Sequence, residues 1–244
     1  MIVTRRRTGY KRPKAGYARM PRVMLRLILA SASPRRRELL ALGGWTFEVA
    51  PTHADETPLP DERPAELVQR LSRVKAQHAA ETVTGEALVI GADTVVALDD
   101  EVIGKPADAA KALAILKHLR GRDHDVLTGL TVLNTRTGHC HTDLARSRVP
   151  MRNYTEAEAL AYVATGDPFD KAGAYAIQHA GFEPVNAEAF HDCFANVMGL
   201  PLCHLLRRLR TLGVEPATDL PHACQHFIPY QCPVFEQILN EPVS

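Results

Sequence analysis

Residues 87–98, ALVIGADTVVAL, form the longest apolar run in the chain and carry a carboxylate, Asp93, near its middle. Val, Ile and Thr favour extended backbone and both flanks are polar, so the run reads as an interior strand. A carboxylate there must be protonated, hydrogen-bonded, paired with a cation or bound to a metal. Gly91, two positions earlier, lets another group come close to the backbone. An Asp held by backbone donors for structural reasons is the competing reading of this run taken alone.

A second stretch, residues 25–42 (LRLILASASPRRRELLAL), reads as a short apolar strand, a turn of small residues and a helix. Ser33 suits the N-cap, Pro34 the first helical position, and Gly43-Gly44 a stop. A strand feeding a helix N-terminus presents unpaired amides and partial positive charge, to which Arg35, Arg36 and Arg37 add fixed cations. This is the expected phosphate side; an exposed basic turn is the plainer alternative.

The remaining chain alternates short strands and helices. Residues 45–49 read as a strand and residues 51–64 as a proline-rich acidic loop with Asp55 and Glu56. Pro64 opens a helix whose Leu67, Leu71 and Val74 should face the core, with Lys75 beside that stripe, where a lysine ordinarily snorkels to water. Asp99-Asp100 marks a turn, Val102-Ile103 a short strand, and Lys105 is held extended by Pro106. Residues 108–120 read as a helix with Ala112, Leu113, Leu116 and Leu119 on one side. Residues 124–133 and 139–149 pair as a hairpin across 134–138. Thr155-x-x-Glu158 is a capping box. Residues 202–212 form the last clear helix. After Val214, five prolines and no period predict an irregular surface tail.

Composition bounds the class. At 244 residues, 45% hydrophobic and 23% charged, the chain can bury a sizeable core. No apolar run approaches the roughly 20 residues of a membrane helix, so no membrane role and a cytoplasmic location are expected. The net charge of +1 hides an arm: residues 1–22 hold eight basic residues and no acidic one. Without them 21 basic residues face 28 acidic ones, which argues against nucleic-acid binding by the body. A nucleic-acid arm, a transit-like leader and sequence upstream of a start at Met24 compete for residues 1–22; the last is the favoured reading and a solvated, disordered tail the next. The five cysteines are scattered and odd in number, so reduced thiols are expected. His222, Cys224, His226 and Cys232 form a weak zinc candidate that lacks a C-x-x-C pair.

The chemistry follows from complementary charges. The chain lacks G-x-x-x-x-G-K-S/T, H-E-x-x-H and G-x-S-x-G. Arg35, Arg36, Lys75, Lys105 and also Lys171 are cations able to neutralise a polyphosphate, while Asp55, Glu56 and Asp93 can hold a divalent ion and prepare water. Phosphoryl chemistry needs both halves.

Seven strings, SASPRRRELL (31–40), DE (55–56), RVKA (73–76), GADTVV (91–96), GKP (104–106), DKAGAYAIQ (170–178) and NVMGLP (196–201), occur in order. Together, over residues 25–213, they resemble the Maf family of nucleoside triphosphate pyrophosphatases. The resemblance implies an α/β fold with a mixed twisted sheet in two lobes around a central cleft, similar to inosine triphosphate pyrophosphatase. It also implies a homodimer, Mg2+ or Mn2+, and cleavage between the α- and β-phosphates. By motif position, Asp93 is the general base, Glu56 a metal or water partner, Glu56 and Asp93 the metal ligands, and Ser33, Arg36, Lys75 and Lys105 the phosphate-side groups. Arg35, Thr94 and Gln178 resemble the branch that prefers dTTP and UTP. An amide such as Gln178 can pair with the O4 and N3–H edge that thymine and uracil share. Alternatives are a broad-specificity pyrophosphatase for modified nucleotides and a non-catalytic regulator of septum formation. The chain departs from the family pattern at Ala189-Phe190-His191-Asp192-Cys193 and after Gly213. The expected layout is a basic extension (1–23), a Maf-like domain (24–213) and a tail (214–244).

Overall fold

The structure, a computed structural model, describes residues 25–177 and 181–242. The basic extension and Gln178 lie outside the described residues. Strands β1 (Arg26–Ala30), β2 (Phe47–Val49), β3 (Ala87–Leu98), β4 (Glu101–Ile103), β5 (Asp123–Asn134) and β6 (Cys140–Pro150) form one mixed sheet in the order β2-β1-β3-β5-β6, with β4 also on β3. β1 is parallel to β2 and to β3, and the other pairs are antiparallel. Helices are α1 (Pro34–Ala41), α2 (Pro64–Thr82), α3 (Ala109–Leu119), α4 (Glu156–Ala164), α5 (Phe194–Val197), α6 (Leu202–Thr211), α7 (Leu220–Phe227) and α8 (Phe235–Asn240). No helix is long and apolar enough to cross a membrane among the described residues.

The local signals explain these elements. Ser33 caps α1 through its side chain, and Pro34 occupies the first turn. Thr155 and Glu158 exchange the two bonds of a capping box. Asp99 and Asp100 both take positive φ (51° and 64°), the tight turn that joins β3 to β4.

Two lobes follow from where the sheet is interrupted. Along one face of β3 and β5, Leu88, Ile90, Leu130 and Val132 pack with β1, α1 and α6, whereas Val96, Leu98 and Val126 pack with α3 and α4. Between them the ladder opens: β1 stops pairing at Ala30 opposite Gly91, and β4 begins pairing at Val96 opposite Ile103. Ala92–Val95 therefore have no strand neighbour on that side among the described residues.

Helix α2 covers the opposite face, and its buried stripe is Leu67, Val68, Leu71, Ser72, Lys75, Ala76 and Ala79. The expected stripe is corrected at two positions: Val74 is half-buried and Lys75 lies inside the stripe rather than beside it. The cause is two glycines. A Cβ on Gly91 would overlap the Ser72 carbonyl, and one on Gly129 the Val68 carbonyl, so the helix backbone rests directly on two adjacent strands. At that distance the lysine beside the contact is drawn under the helix.

The tail is also corrected. Residues after Val214 form α7 and α8, with Leu220, Ile228 and Ile238 in the core cluster built on α6. Pro221 sits in the first turn of α7, where proline is tolerated, and Asp219 caps it. Helices of eight and six residues are too short to show a period. The zinc candidate does not assemble: no group of three metal-ligating side chains occurs among the described residues, and His222 Nδ1 instead meets Asp219 at 2.8 Å. All five cysteines are free.

Gly91→Ala is expected to lift α2 from the sheet, costing about 1–3 kcal/mol by overpacking. Urea denaturation measures this, and an unchanged midpoint would contradict the close backbone contact.

Candidate active site

Five segments meet at the opening in the sheet. The turn after β1 and the first turn of α1 supply Ser31, Ser33, Arg35 and Arg36; the unpaired stretch of β3 supplies Asp93 and Thr94; the chain leaving β4 supplies Lys105; the loop before α2 supplies Glu56; and α2 itself supplies Lys75. Asp93 and Thr94 are neighbours on a strand, so they face opposite sides of the sheet. Asp93 faces α2 and Thr94 faces α1.

On the α2 side, Lys75 Nζ lies 2.5 Å from Asp93 Oδ1 and 2.6 Å from Glu56 Oε1. The Lys75 and Asp93 side chains are each only 10% exposed, while Glu56 is 62% exposed. Their environments push the two carboxyls apart. Burial raises the Asp93 pKa above the ordinary carboxylate value, against the pull of Lys75 and Arg36. The Lys75 hydrogen bond lowers that of Glu56, helped by the charges of Lys75, Lys105 and Arg36. A raised carboxylate beside an ionised one is the arrangement that separates a base from an electrostatic partner.

On the α1 side, Arg36 Nε donates to the Gly199 carbonyl at 2.8 Å, and its Nη2 donates to Thr94 Oγ1 at 3.0 Å. Thr94 in turn meets Thr128 at 2.9 Å. Burial lowers the Arg36 pKa; Asp93 and Glu56 draw it back up, and Arg35 pushes it down. Arg36, Arg35, Asp93, Glu56, Lys75 and Lys105 thus act on one another electrostatically, and an incoming anion would offset the cost of the half-buried guanidinium.

Of the expected site residues, all but Gln178 lie among the described residues. Asp93, Glu56, Lys75, Lys105, Arg35 and Arg36 converge. The Ser33 hydroxyl caps α1 by accepting from Arg36 N at 3.4 Å, and Thr94 holds Arg36 in place. Two of the candidate charges stand apart. Asp55 accepts from Thr57 N in a local turn and is exposed. Lys171 is committed to Asp167 Oδ1 (2.9 Å) and Asp170 Oδ1 (2.6 Å), which removes it from the phosphate side. Its motif instead packs beside Lys105, since Gly173 N donates to the Gly104 carbonyl at 3.3 Å. The buried pair of His124 Nε2 and the Tyr175 hydroxyl, 2.8 Å apart, fastens the same motif to β5. Sequence reasoning passed over both His124 and Arg70, because a histidine in a strand and an arginine in an amphipathic helix carry no spacing signal.

The family model described as "Maf-like protein" matches residues 26–212. The chain belongs to that family. It is 43% identical over 187 residues to a protein from Citrifermentans bemidjiense named dTTP/UTP pyrophosphatase, covering 77% of this chain and 95% of that one. It is 45% identical over 188 residues to a Syntrophus aciditrophicus protein of the same name, covering 77% and 90%. Among solved structures, a HAM1 protein from Coxiella burnetii overlays with a TM-score of 0.42 at 15% identity, covering 66% of this chain and 81% of that one. The family match stops at residue 212, so α7 and α8 lie beyond it.

The motif that His124 fastens to β5 should feel acid. Burial depresses the His124 pKa from 6.5 to about 4, so below pH 6.5 the unfolded chain takes up a proton that the folded protein refuses. Stability contributed by the neutral ring is complete above about 6.5 and falls as pH drops towards about 4, by about 3 kcal/mol over that interval. Urea titrations of wild type and His124→Asn at pH 7 and pH 4.5 check this. The variant should lose this acid-dependent decline.

Proposed function

We propose that this chain is a nucleoside triphosphate pyrophosphatase that hydrolyses dTTP and UTP to the monophosphate and pyrophosphate. The observation that carries the reading is the meeting of Asp93 and Glu56 on one ammonium beside Arg36 and Lys105, in the opening between β1 and β4. The names of the family members described above support the choice of nucleotide.

The roles follow from position and charge. Arg35, Arg36 and Lys105 face the triphosphate and balance charge as the α–β phosphoanhydride bond breaks. Asp93, raised by burial, accepts the proton of the attacking water. The oxygen of that water ends on phosphate, and the freed pyrophosphate leaves beside the cations. Arg36 is preset by Thr94 and Gly199, so little ordering is left for the moment of binding. Arg35, Thr94 and Gln178 remain the proposed nucleotide-selecting positions, with Gln178 reading the pyrimidine edge.

A divalent cation fits this donor set. Two carboxylates and no third protein ligand among the described residues is the provision Mg2+ or Mn2+ uses when substrate phosphates and water complete its shell. Glu56 and Asp93 would hold it, and it would supply charge neutralisation on the phosphates and acidify bound water. Lys75 engages both carboxylates; with an ion held by them, its ammonium would be available to a phosphate oxygen. A homodimer and a cytoplasmic location belong to the same reading and rest on family membership.

Pyrophosphate release across a panel of nucleotides, with Mg2+, Mn2+ or chelator, tests the proposal. UTP and dTTP should outrun GTP and activity should vanish in chelator; equal rates for GTP and UTP would remove the pyrimidine reading. Asp93→Asn should stay folded and lose about 10²–10⁴-fold in kcat, the range of a general base. Near-normal turnover in that variant would exclude Asp93 from the role.

A further inference from the structure

Glu56 reaches Lys75 from a segment with no helix or strand between β2 and α2. Residues 55–61 are all exposed, so no buried apolar side chain fixes where this stretch lies. Polar bonds do that instead. Thr57 N donates to Asp55 Oδ1 at 2.9 Å, Leu59 N to Glu62 Oε2 at 3.0 Å, and Glu62 N to the Leu59 carbonyl at 3.2 Å. These bonds fold residues 55–62 on themselves without tying them to the rest of the protein.

The tie is Arg70, on α2 and five positions before Lys75. Its Nε donates to Glu62 Oε1 at 2.6 Å and its Nη2 to Glu62 Oε2 at 2.8 Å, a two-pronged grip on a carboxylate only 7% exposed. The same Nη2 donates to the Thr57 carbonyl at 3.1 Å. Among the described residues, every polar contact from residues 57–62 to α2 ends on this guanidinium. One planar group therefore holds the segment at the residue next to Glu56 and again six positions beyond Glu56. Lysine could not reproduce that fork.

We propose that Arg70 is a positioning residue of the active site: through Thr57 and Glu62 it sets where Glu56 meets Lys75. The proposal rests on the assignment of Glu56 to the catalytic set. Arg70 and Lys75 share one rigid helix, so the carboxylate is referenced to the same body as the ammonium it meets. The segment is otherwise exposed, and without the clamp Glu56 would sample positions away from the site.

The test compares Arg70→Lys, Arg70→Gln and Glu62→Gln, each with Glu56 intact and with Glu56→Gln, by steady-state kinetics on UTP and by amide hydrogen exchange. With Glu56 intact, Arg70→Lys should lower kcat by about 10–100-fold, the scale of a roughly 1 Å misplacement, with a smaller change in KM. With Glu56→Gln already present, the same substitution should cost less than about 2-fold, because its route to the chemistry is gone. Exchange protection at Thr57 and Leu59 should be lost in Arg70→Gln and Glu62→Gln while α2 stays protected, which separates the clamp from unfolding. Equal fold-losses in both Glu56 backgrounds would overturn the proposal, as would full protection of Thr57 and Leu59 in Arg70→Gln. A wild type that hydrolyses no nucleotide would end the functional reading; the exchange data would still decide the clamp.

Discussion

The structure depends on helix α2 lying directly on the sheet. Gly91 and Gly129 are on adjacent strands, and the Ser72 and Val68 carbonyls occupy the space their side chains would have taken. Close packing of this kind leaves no room for a lysine to turn outward, so Lys75 is buried and needs a partner. Asp93, itself buried in β3, provides one. Removing either charge from such a pair leaves the other exposed to the full desolvation penalty, so the contact fixes both side chains more firmly than its net stabilisation implies.

The opening in the sheet explains the remaining convergence. A parallel strand ends at Gly91 and an antiparallel one begins at Val96, and the four residues between them are the only part of β3 whose edge on that side lacks a strand among the described residues. The α1 N-terminus arrives from one side of the gap and the Lys105 turn from the other. Asp93 and Thr94 present their side chains to opposite faces, so one dipeptide orders both halves of the site: Asp93 engages the lysine of α2, and Thr94 the arginine of α1. The motif at residues 196–201 contributes a carbonyl, at Gly199, that holds Arg36.

The stretch that departs from the family pattern and the helices beyond the family match are packed together. Phe190 and Phe194 contact Tyr230, whose hydroxyl donates to the Phe190 carbonyl at 3.0 Å. Asp192 accepts from Ser147 Oγ, Arg148 N and Cys193 N, which joins the same stretch to β6. Cys193, Cys203, Cys224 and Cys232 line a small apolar cavity beneath α7, and burial pushes their thiols up, to about 12 for Cys203 and about 11 for Cys224. They remain protonated and serve as packing groups.

The local chemistry of the chain was legible in its sequence. Ser33-Pro34, Thr155-x-x-Glu158 and Asp99-Asp100 each determine a helix start or a turn through bonds spanning three or four residues, and the apolar run with one carboxylate determined an interior strand whose Asp needed a proton, a hydrogen bond, a cation or a metal. The ordered strings also determined the family. Which cation meets Asp93, and from which face, was decided only in three dimensions. Lys75 looked like a snorkelling edge residue because helical spacing records direction around an axis and not the distance of that axis from a sheet. Lys171 looked available because Asp167 and Asp170 close on it only once the turn forms. The short C-terminal helices gave no period, and Arg70 gave no signal, since the grip of an arginine on a loop arises from the path of the folded backbone.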